Sequence, residues 1–332
     1  MESADISKRA EVVRNWEDFL NKYMNICNND EYDELNNPNG YINLGTGINN
    51  ICRDIIIPRL TSAHVWDCNL DLLQYREGYG ILKLRKALST IMTEFLDTYE
   101  PVDPEDLVCV VGVTACLDIL AHCLADPGEV ILAPTPIYGR IYTDFMQRSQ
   151  VKLWPIPIIS KENEELYPVL TIDKVKKAYN DAVSQKQVVK ALLLINPSNP
   201  LGDIYNPELL LDIFSFCNEH NLHVIMDEVY ALSVFNGSPE FYSTLKFPVL
   251  PNKNKVHVLY GISKICGSSS FVQERDFFFY LIEKAHLYIV PGEELFCAQP
   301  GWFRLTFTAN PDHVNAGLKR LEEAIKNYTL KV

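Results

Sequence analysis

Ala191-Leu192-Leu193-Leu194-Ile195-Asn196-Pro197-Ser198-Asn199-Pro200-Leu201-Gly202 decides the fold when it is read with the residues that follow. Five apolar residues run without alternation into a proline-rich turn. Pro207 to His220 then carries a helical pattern with proline in its first turn, and Leu222 to Met226 is a second unbroken apolar run ending at Asp227. Apolar runs without polar alternation imply strands covered on both faces, and the strand–helix–strand order implies that they are parallel.

The same rhythm extends in both directions. Upstream, Leu107 to Val111 reads as an apolar strand, Gly112 turns the chain, and Cys116, Ile119, Leu120, Cys123 and Leu124 line one face of a helix. Asp126-Pro127-Gly128 ends that helix, and Val130 to Ala133 is the next strand. Downstream, Val256 to Tyr260 is another. The expected fold is α/β, a mostly parallel sheet flanked by helices, with a small α+β C-terminal lobe. In that lobe His286 to Val290 reads as a short strand, Phe303 to Phe307 as an alternating strand and Asn310 to Tyr328 as a helix. Helices are also expected over 5–26, where Trp16, Phe19, Leu20 and Tyr23 fall at helical spacing, and over 81–97. The expected division is an N-terminal helix and arm (1–60), a ligand-binding large domain (61–285) and the small lobe (286–332).

The 332 residues are enough for a large core and a second lobe, and a net charge of −13 argues against nucleic acid or an anionic membrane as partner. Nine cysteines form neither a CxxC pair nor a Cys/His cluster at zinc-site spacing, so no metal centre is expected. Several lie in apolar runs and read as reduced core residues. Met1 to Ala10 lacks the charged-then-apolar pattern of a signal peptide, and no apolar stretch approaches a membrane span, so the expectation is a cytoplasmic protein.

In open parallel sheets ligands bind beyond the carboxyl ends of the strands, which is where Asn199, Asp227 and Lys264 all fall. An asparagine beside a tight turn, an aspartate ending one strand and a Ser263-Lys264 pair ending another form the combination that grips pyridoxal phosphate. Lys264 would hold the cofactor as a Schiff base, its amine made nucleophilic by burial or by neighbouring cations. Asp227 would pair with the pyridinium nitrogen, and Tyr230 and Asn199 would both reach the phenolic oxygen. Gly112-Val113-Thr114-Ala115-Cys116 opens a helix, so its backbone N–H groups suit a phosphate, with Val113 and Thr114 the contacts. Thr114 reads equally well as an ordinary N-cap. Tyr138 could stack on the pyridine face, and Arg304 could capture a substrate carboxylate in a bidentate pair or form a surface salt bridge.

Several motifs resemble the fold-type-I, class I/II aminotransferases, and more closely their 1-aminocyclopropane-1-carboxylate synthase-like branch. They are Asn37 to Gly45, Tyr75-Arg76-Glu77-Gly78-Tyr79-Gly80 followed by Leu84-Arg85-Lys86-Ala87, Ala133 to Tyr138, Asn196 to Gly202 and Pro300 to Arg304. The resemblance spans about residues 35 to 325. It implies a homodimer with shared active sites, in which a tyrosine crosses to the partner's cofactor phosphate. By position that is Tyr75, with Tyr79 a close competitor. It also implies an amino-acid substrate held by Arg304, with Gly45 and Asn199 alongside, and an α-proton moved by Lys264.

The chain departs from that pattern at two places. Ile48 stands where the synthase branch usually carries a glutamate, and an apolar side chain cannot repeat a carboxylate's hydrogen bonds. After Lys264 the family runs to a phosphate-clamping arginine, and Val272 stands in its place; forty positions separate Lys264 from Arg304, fewer than the family uses. Losing a bidentate phosphate contact costs about 2–3 kcal/mol of cofactor affinity.

Two functions follow. One is a pyridoxal-phosphate enzyme on α-amino acids, transaminating by default, with β- or γ-elimination as the other branch. The other is a shortened, catalytically impaired isoform acting as a dimerisation or regulatory partner. A nicotinamide-dependent enzyme is disfavoured because the turn at Gly112 lacks G-x-G-x-x-G spacing.

Overall fold

A computed structural model of the chain describes residues 6–16, 18–47, 53–62, 74–159, 169–234, 239–261, 275–297, 303–306 and 310–329. In chain order its elements begin with α1 (Lys8–Arg14), α2 (Phe19–Asn29), β1 (Ile42–Asn43), α3 (Arg53–Leu60) and α4 (Leu82–Phe95). The central part follows as α5 (Gly112–Leu124), β2 (Val130–Thr135), α6 (Arg140–Met146), β3 (Lys152–Pro157), α7 (Ile172–Ser184), β4 (Val189–Ile195), α8 (Pro207–Glu219), β5 (His223–Asp227) and β6 (Val256–Leu259). Last come α9 (Arg275–Tyr280), a π-helical turn over Leu281–Ala285, β7 (Leu287–Tyr288), β8 (Val290–Pro291), β9 (Phe303–Arg304) and α10 (Pro311–Thr329).

β3, β2, β4, β5 and β6 lie in that order as one sheet, and every pair is parallel. Alternate residues of its strands serve opposite layers, as the two-residue period of a strand requires. Leu132, Leu192, Leu194, Val224 and Met226 join the core that holds Val175 of α7 and Leu210 and Phe214 of α8. Ile131, Ala133, Ala191, Leu193, Ile195 and Ile225 join the opposite one, with Leu117 of α5 and Ile141 and Phe145 of α6. Each such apolar side chain contributes about 1.5–3 kcal/mol on burial, which is why these strands read as unbroken apolar runs. Thr171 and Asn206 cap α7 and α8 through their side-chain oxygens.

The second lobe draws on both ends of the chain. α2, β1, α9, β7, β8, β9 and α10 share one core around Tyr23, Leu44, Phe278, Tyr288 and Phe303. β1 pairs in parallel with β7, and the Arg320 guanidinium donates to the carbonyls of Gly40 (2.7 Å), Pro38 (2.7 Å) and His286 (3.0 Å). The lobe meets the sheet domain where Ile137 N–H donates to the Leu295 carbonyl at 2.7 Å.

Three expectations need correction. Residues 5–26 are not one helix: Asp18 caps a new helix by accepting from Asn21 N–H at 3.0 Å, so the chain breaks between α1 and α2. Leu107 to Val111 is not a strand; Cys109 N–H is bound by the Tyr79 carbonyl at 2.8 Å, and Val108 and Val111 are exposed. His286 to Val290 splits into two strands because Tyr288 pairs with β1 whereas Val290 pairs with β9. The expected strand from Phe303 is seen over Phe303–Arg304, and its end at Phe307 lies outside the described residues.

The lobe contact is tight at Gly139, where an added Cβ would overlap the Glu294 carbonyl. Gly139→Ala is expected to cost about 1–3 kcal/mol, an overpacking penalty. A melting curve checks it: the expected result is a transition several degrees lower, and an unchanged one would mean that the lobes do not meet here.

Candidate active site

β2 leads to β3 on one side of the sheet, whereas β4 leads to β5 and β6 on the other. The order therefore reverses between β2 and β4, and this switch point opens a crevice at their carboxyl ends. The predicted residues line it. Thr135 ends β2 and leads to Tyr138, Ile195 ends β4 and leads to Asn199, and Asp227 is the last residue of β5. The turn after β4 is held by Asn196, whose N–H donates to the Asp227 carbonyl (2.9 Å) and whose Oδ1 accepts from Tyr205 N–H (3.1 Å).

Asn199 is the hinge of the site. Its Nδ2 donates to the Tyr230 hydroxyl at 2.9 Å, and its Oδ1 accepts from Arg304 Nη1 at 3.4 Å. Arg304 Nη2 donates to the Gly45 carbonyl, and the guanidinium lies 5.8 Å from the Tyr138 ring centre. Arg304 is buried, which excludes the surface salt bridge. Gly45 stands against the Tyr288 ring, where a Cβ would come within 2.6 Å. Thus Asn199, Tyr230, Arg304, Tyr138 and Gly45 form one constellation drawn from both lobes.

Asp227 sits below it, buried, accepting from Val229 N–H at 3.1 Å. Burial pushes its carboxyl up to about 7, opposed by that hydrogen bond and reinforced by neighbouring Glu228. Tyr230 is pushed up to about 12 by burial, against the pull of Arg304. Three buried polar atoms around the crevice, Thr135 Oγ1, Asn196 Nδ2 and Arg304 Nε, find no hydrogen-bond partner among the described residues. They are three of six such atoms among the described residues, and orphaned buried polar groups are rare in folded proteins.

α5 begins at Gly112, which has a φ of +78°, with Val111 before it and no side-chain cap. Thr114 is therefore inside the first turn and is not the N-cap. Val113 points inward, 3.4 Å from where a Gly261 Cβ would stand, so it offers the crevice its backbone only. Tyr75 is fully exposed and Tyr79 partly so; neither joins the constellation within one chain. Ser263, Lys264, Val272 and Ile48 lie outside the described residues.

Comparison with known proteins places this arrangement. The family model "Aminotransferase class I and II" matches residues 40–271. The chain belongs to that family. Within it the chain lies in the 1-aminocyclopropane-1-carboxylate synthase-like branch. It is 37% identical over 271 residues to the mouse (Mus musculus) "1-aminocyclopropane-1-carboxylate synthase-like protein 1", covering 81% of this chain and 54% of that one. It is 39% identical over 243 residues to the mouse "Probable inactive 1-aminocyclopropane-1-carboxylate synthase-like protein 2", covering 72% of this chain and 42% of that one. The chain spans about half the length of the curated relatives it matches. Among solved structures, the aspartate aminotransferase of Rhizobium meliloti superposes with a TM-score of 0.72 at 16% identity over 97% of this chain and 99% of its own, a likeness of fold.

Three residues of this aminotransferase-family site carried no sequence signal of their own. Glu228 is fully buried and fixes the loop after β5 by accepting from Ser243 Oγ (2.6 Å) and Thr244 N–H (2.7 Å). Arg85 is equally buried; it binds the carbonyls of Gly80 (2.9 Å) and Pro104 (2.6 Å) and stacks on Tyr79, so it anchors the turn that follows Tyr75. Asp144 is buried on α6, its Oδ1 3.5 Å from Arg140 Nε. Arg85 stands in the motif Leu84-Arg85-Lys86-Ala87, where it reads only as helix, and Glu228 in the run Asp227-Glu228-Val229-Tyr230, where it carries no role of its own.

The Asp227 shift has a pH consequence. Its folded pKa lies above the unfolded value, so the proton is held more tightly in the folded state, and stability falls as pH rises from about 4 to about 7. In the ligand-free protein Asp227→Asn is expected to remove a loss of a few kcal/mol between pH 4 and pH 8. Denaturant midpoints across that range test this. Parallel profiles for the two proteins would show that Asp227 is not a strained acid.

Proposed function

We propose that the chain is a pyridoxal-phosphate-dependent enzyme of α-amino acids, aminotransferase-like or 1-aminocyclopropane-1-carboxylate synthase-like, attached to its cofactor through Lys264. The observation that carries this reading is the Asn199 bridge between Tyr230 and Arg304, set beside a buried acid at the sheet's switch point. The residues fit the group. Asp227 is a buried carboxylate with no described lysine or arginine against it, as a pyridinium nitrogen requires. The Tyr230 hydroxyl accepts from Asn199 and keeps its own proton to give to a phenolic oxygen. Tyr138 flanks the ring position, and the first-turn N–H groups of α5, from Val113 and Thr114, face the phosphate.

When bound, pyridoxal phosphate supplies an electron sink for charge at the substrate's α-carbon. The chain's own groups supply the rest. Arg304 receives the substrate carboxylate, and its orphaned Nε is an unused donor for it. Asn199 turns between that carboxylate and Tyr230. Asp227 holds a proton at the ring nitrogen, and Lys264 moves the α-proton. Default turnover is transamination, with elimination as the other branch.

The protein acts as a homodimer in the cytoplasm. Tyr75, Val108 and Val111 are exposed, and in the dimer a partner would cover them, with Tyr75 reaching the partner's phosphate. The N-terminal arm (1–60) and the small lobe (286–332) would form one unit beside the large domain (61–285), through a core that α2, β1 and α10 share with α9 from the large domain's end. No helix among the described residues is long and apolar enough to cross a membrane, and no group of three metal-ligating side chains occurs among them.

A second reading rests on Val272, which stands where the resemblance expects the phosphate-clamping arginine, and on the short span from Lys264 to Arg304. A turn without that clamp would hold a phosphate weakly, as an impaired regulatory partner would. Absorbance spectra with added pyridoxal phosphate decide between the two. The first reading predicts a visible band that borohydride abolishes and that Lys264→Ala lacks. No band at saturating cofactor would overturn it in favour of the second.

A further inference from the structure

Tyr138 is bracketed by ties to the second lobe. One residue before it, Ile137 N–H donates to the Leu295 carbonyl at 2.7 Å. One residue after it, Gly139 packs against the Glu294 carbonyl with no room for a Cβ. One residue further, Arg140 opens α6, and its Nη1 lies 2.9 Å from Asp18 Oδ2 at the start of α2. The Tyr138 carbonyl accepts from Ile141 N–H at 3.1 Å, which joins the tyrosine to that first turn of α6.

Both members of the ion pair are held in place by other groups. Asp144, one turn along α6 and buried, stands 3.5 Å from Arg140 Nε and leaves Nη1 for Asp18. Asp18 is fixed as the N-cap of α2, where Oδ1 accepts from Asn21 N–H at 3.0 Å and Oδ2 from Asn21 Nδ2 at 2.6 Å. Side chains oriented before they meet lose less of the entropy that usually cancels a partly exposed pair. The same segments touch again through their rings: Trp16 lies 5.5 Å from Tyr142, and Tyr142 lies 5.4 Å from Phe296, the neighbour of Leu295.

We infer that Asp18 and Arg140 are positioning residues for Tyr138: their ion pair, tying α6 to α2, sets where the Tyr138 ring lies against the cofactor. Neither acts on the cofactor directly. Arg304 comes from the same second lobe and lies 5.8 Å from the Tyr138 ring centre. One contact between the lobes therefore aligns the ring-flanking tyrosine with the carboxylate-binding arginine. The inference rests on the pyridoxal-phosphate reading of this site.

The test is a fluorescence titration of the full chain with pyridoxal phosphate, using Asp18→Asn, Arg140→Gln and Tyr138→Leu singly and combined. Asparagine caps a helix as well as aspartate does, so Asp18→Asn removes the ion pair and keeps the α2 cap. Asp18→Asn and Arg140→Gln are each expected to weaken cofactor binding about threefold, and the pair of changes together no more than either alone. In the Tyr138→Leu background neither should have a further effect, because the ring they position is gone. Melting curves run alongside separate stability from positioning. A lowered transition with unchanged affinity is the mark of a merely structural pair and overturns the inference. An equal loss of affinity with and without the Tyr138 ring overturns it too. Should Arg140→Gln fail to fold, Asp18→Asn carries the cycle alone. A wild-type chain that binds no pyridoxal phosphate at saturating concentration overturns the site reading and this inference with it. A wild-type chain that binds, with variants that match it, overturns the inference alone.

Discussion

A carboxylate at the end of a strand buried on both faces is costly to keep, and Asp227 is that carboxylate. It cannot move away: the Ile195–Asp227 register and the bond from Asn196 N–H to its carbonyl fix its backbone. Glu228, next in the chain, uses its carboxylate on Ser243 and Thr244 and leaves Asp227 to the crevice. A cation brought beside it would relieve that cost, which is the affinity the proposed pyridinium ring would draw on. Asn199, Tyr230 and Arg304, bonded to one another, carry the lone pair, the proton and the guanidinium that the same proposed occupant would use.

The two lobes matter because no single one carries the constellation. Asn199, Tyr230 and Tyr138 belong to the sheet domain, whereas Arg304 comes from β9 and the Gly45 carbonyl from the end of the N-terminal arm. β1–β7 pairing and the Arg320 bonds bind those two ends of the chain together, and Thr306 N–H donates to the Leu44 carbonyl at 2.6 Å to set Arg304 beside Gly45. The contact at Gly139 and Ile137 then brings the assembled lobe to Tyr138.

Much of this was legible in the chain because burial leaves a direct trace. β2, β4 and β5 were readable as apolar runs, since both of their faces are covered, β6 as a short run on the opposite edge from β3, and α5 and α8 as one-sided patterns beside them. β3 was not, because it is an edge strand with half of its residues exposed and two prolines, Pro155 and Pro157. Leu107 to Val111 misled for the opposite reason: its apolarity lies on the surface rather than in a sheet. At the site, Asn199, Asp227, Tyr230, Tyr138, Gly45 and Arg304 were each readable from a motif, and the structure brings them together. Glu228, Arg85 and Asp144 were not, because a charged side chain reveals its burial only when distant segments close around it. The capping role open to Thr114 fails because the helix starts two residues earlier, at Gly112.

Replacing the cofactor's pyridine nitrogen with carbon tests the central claim most directly. The carba analogue keeps the phosphate, the phenolic oxygen and the aldehyde, and removes only the atom assigned to Asp227. The account predicts that pyridoxal phosphate binds about ten to a hundred times more tightly than the analogue, and that Asp227→Ala levels the two. Equal affinities in the wild-type protein would mean that Asp227 does not meet the ring.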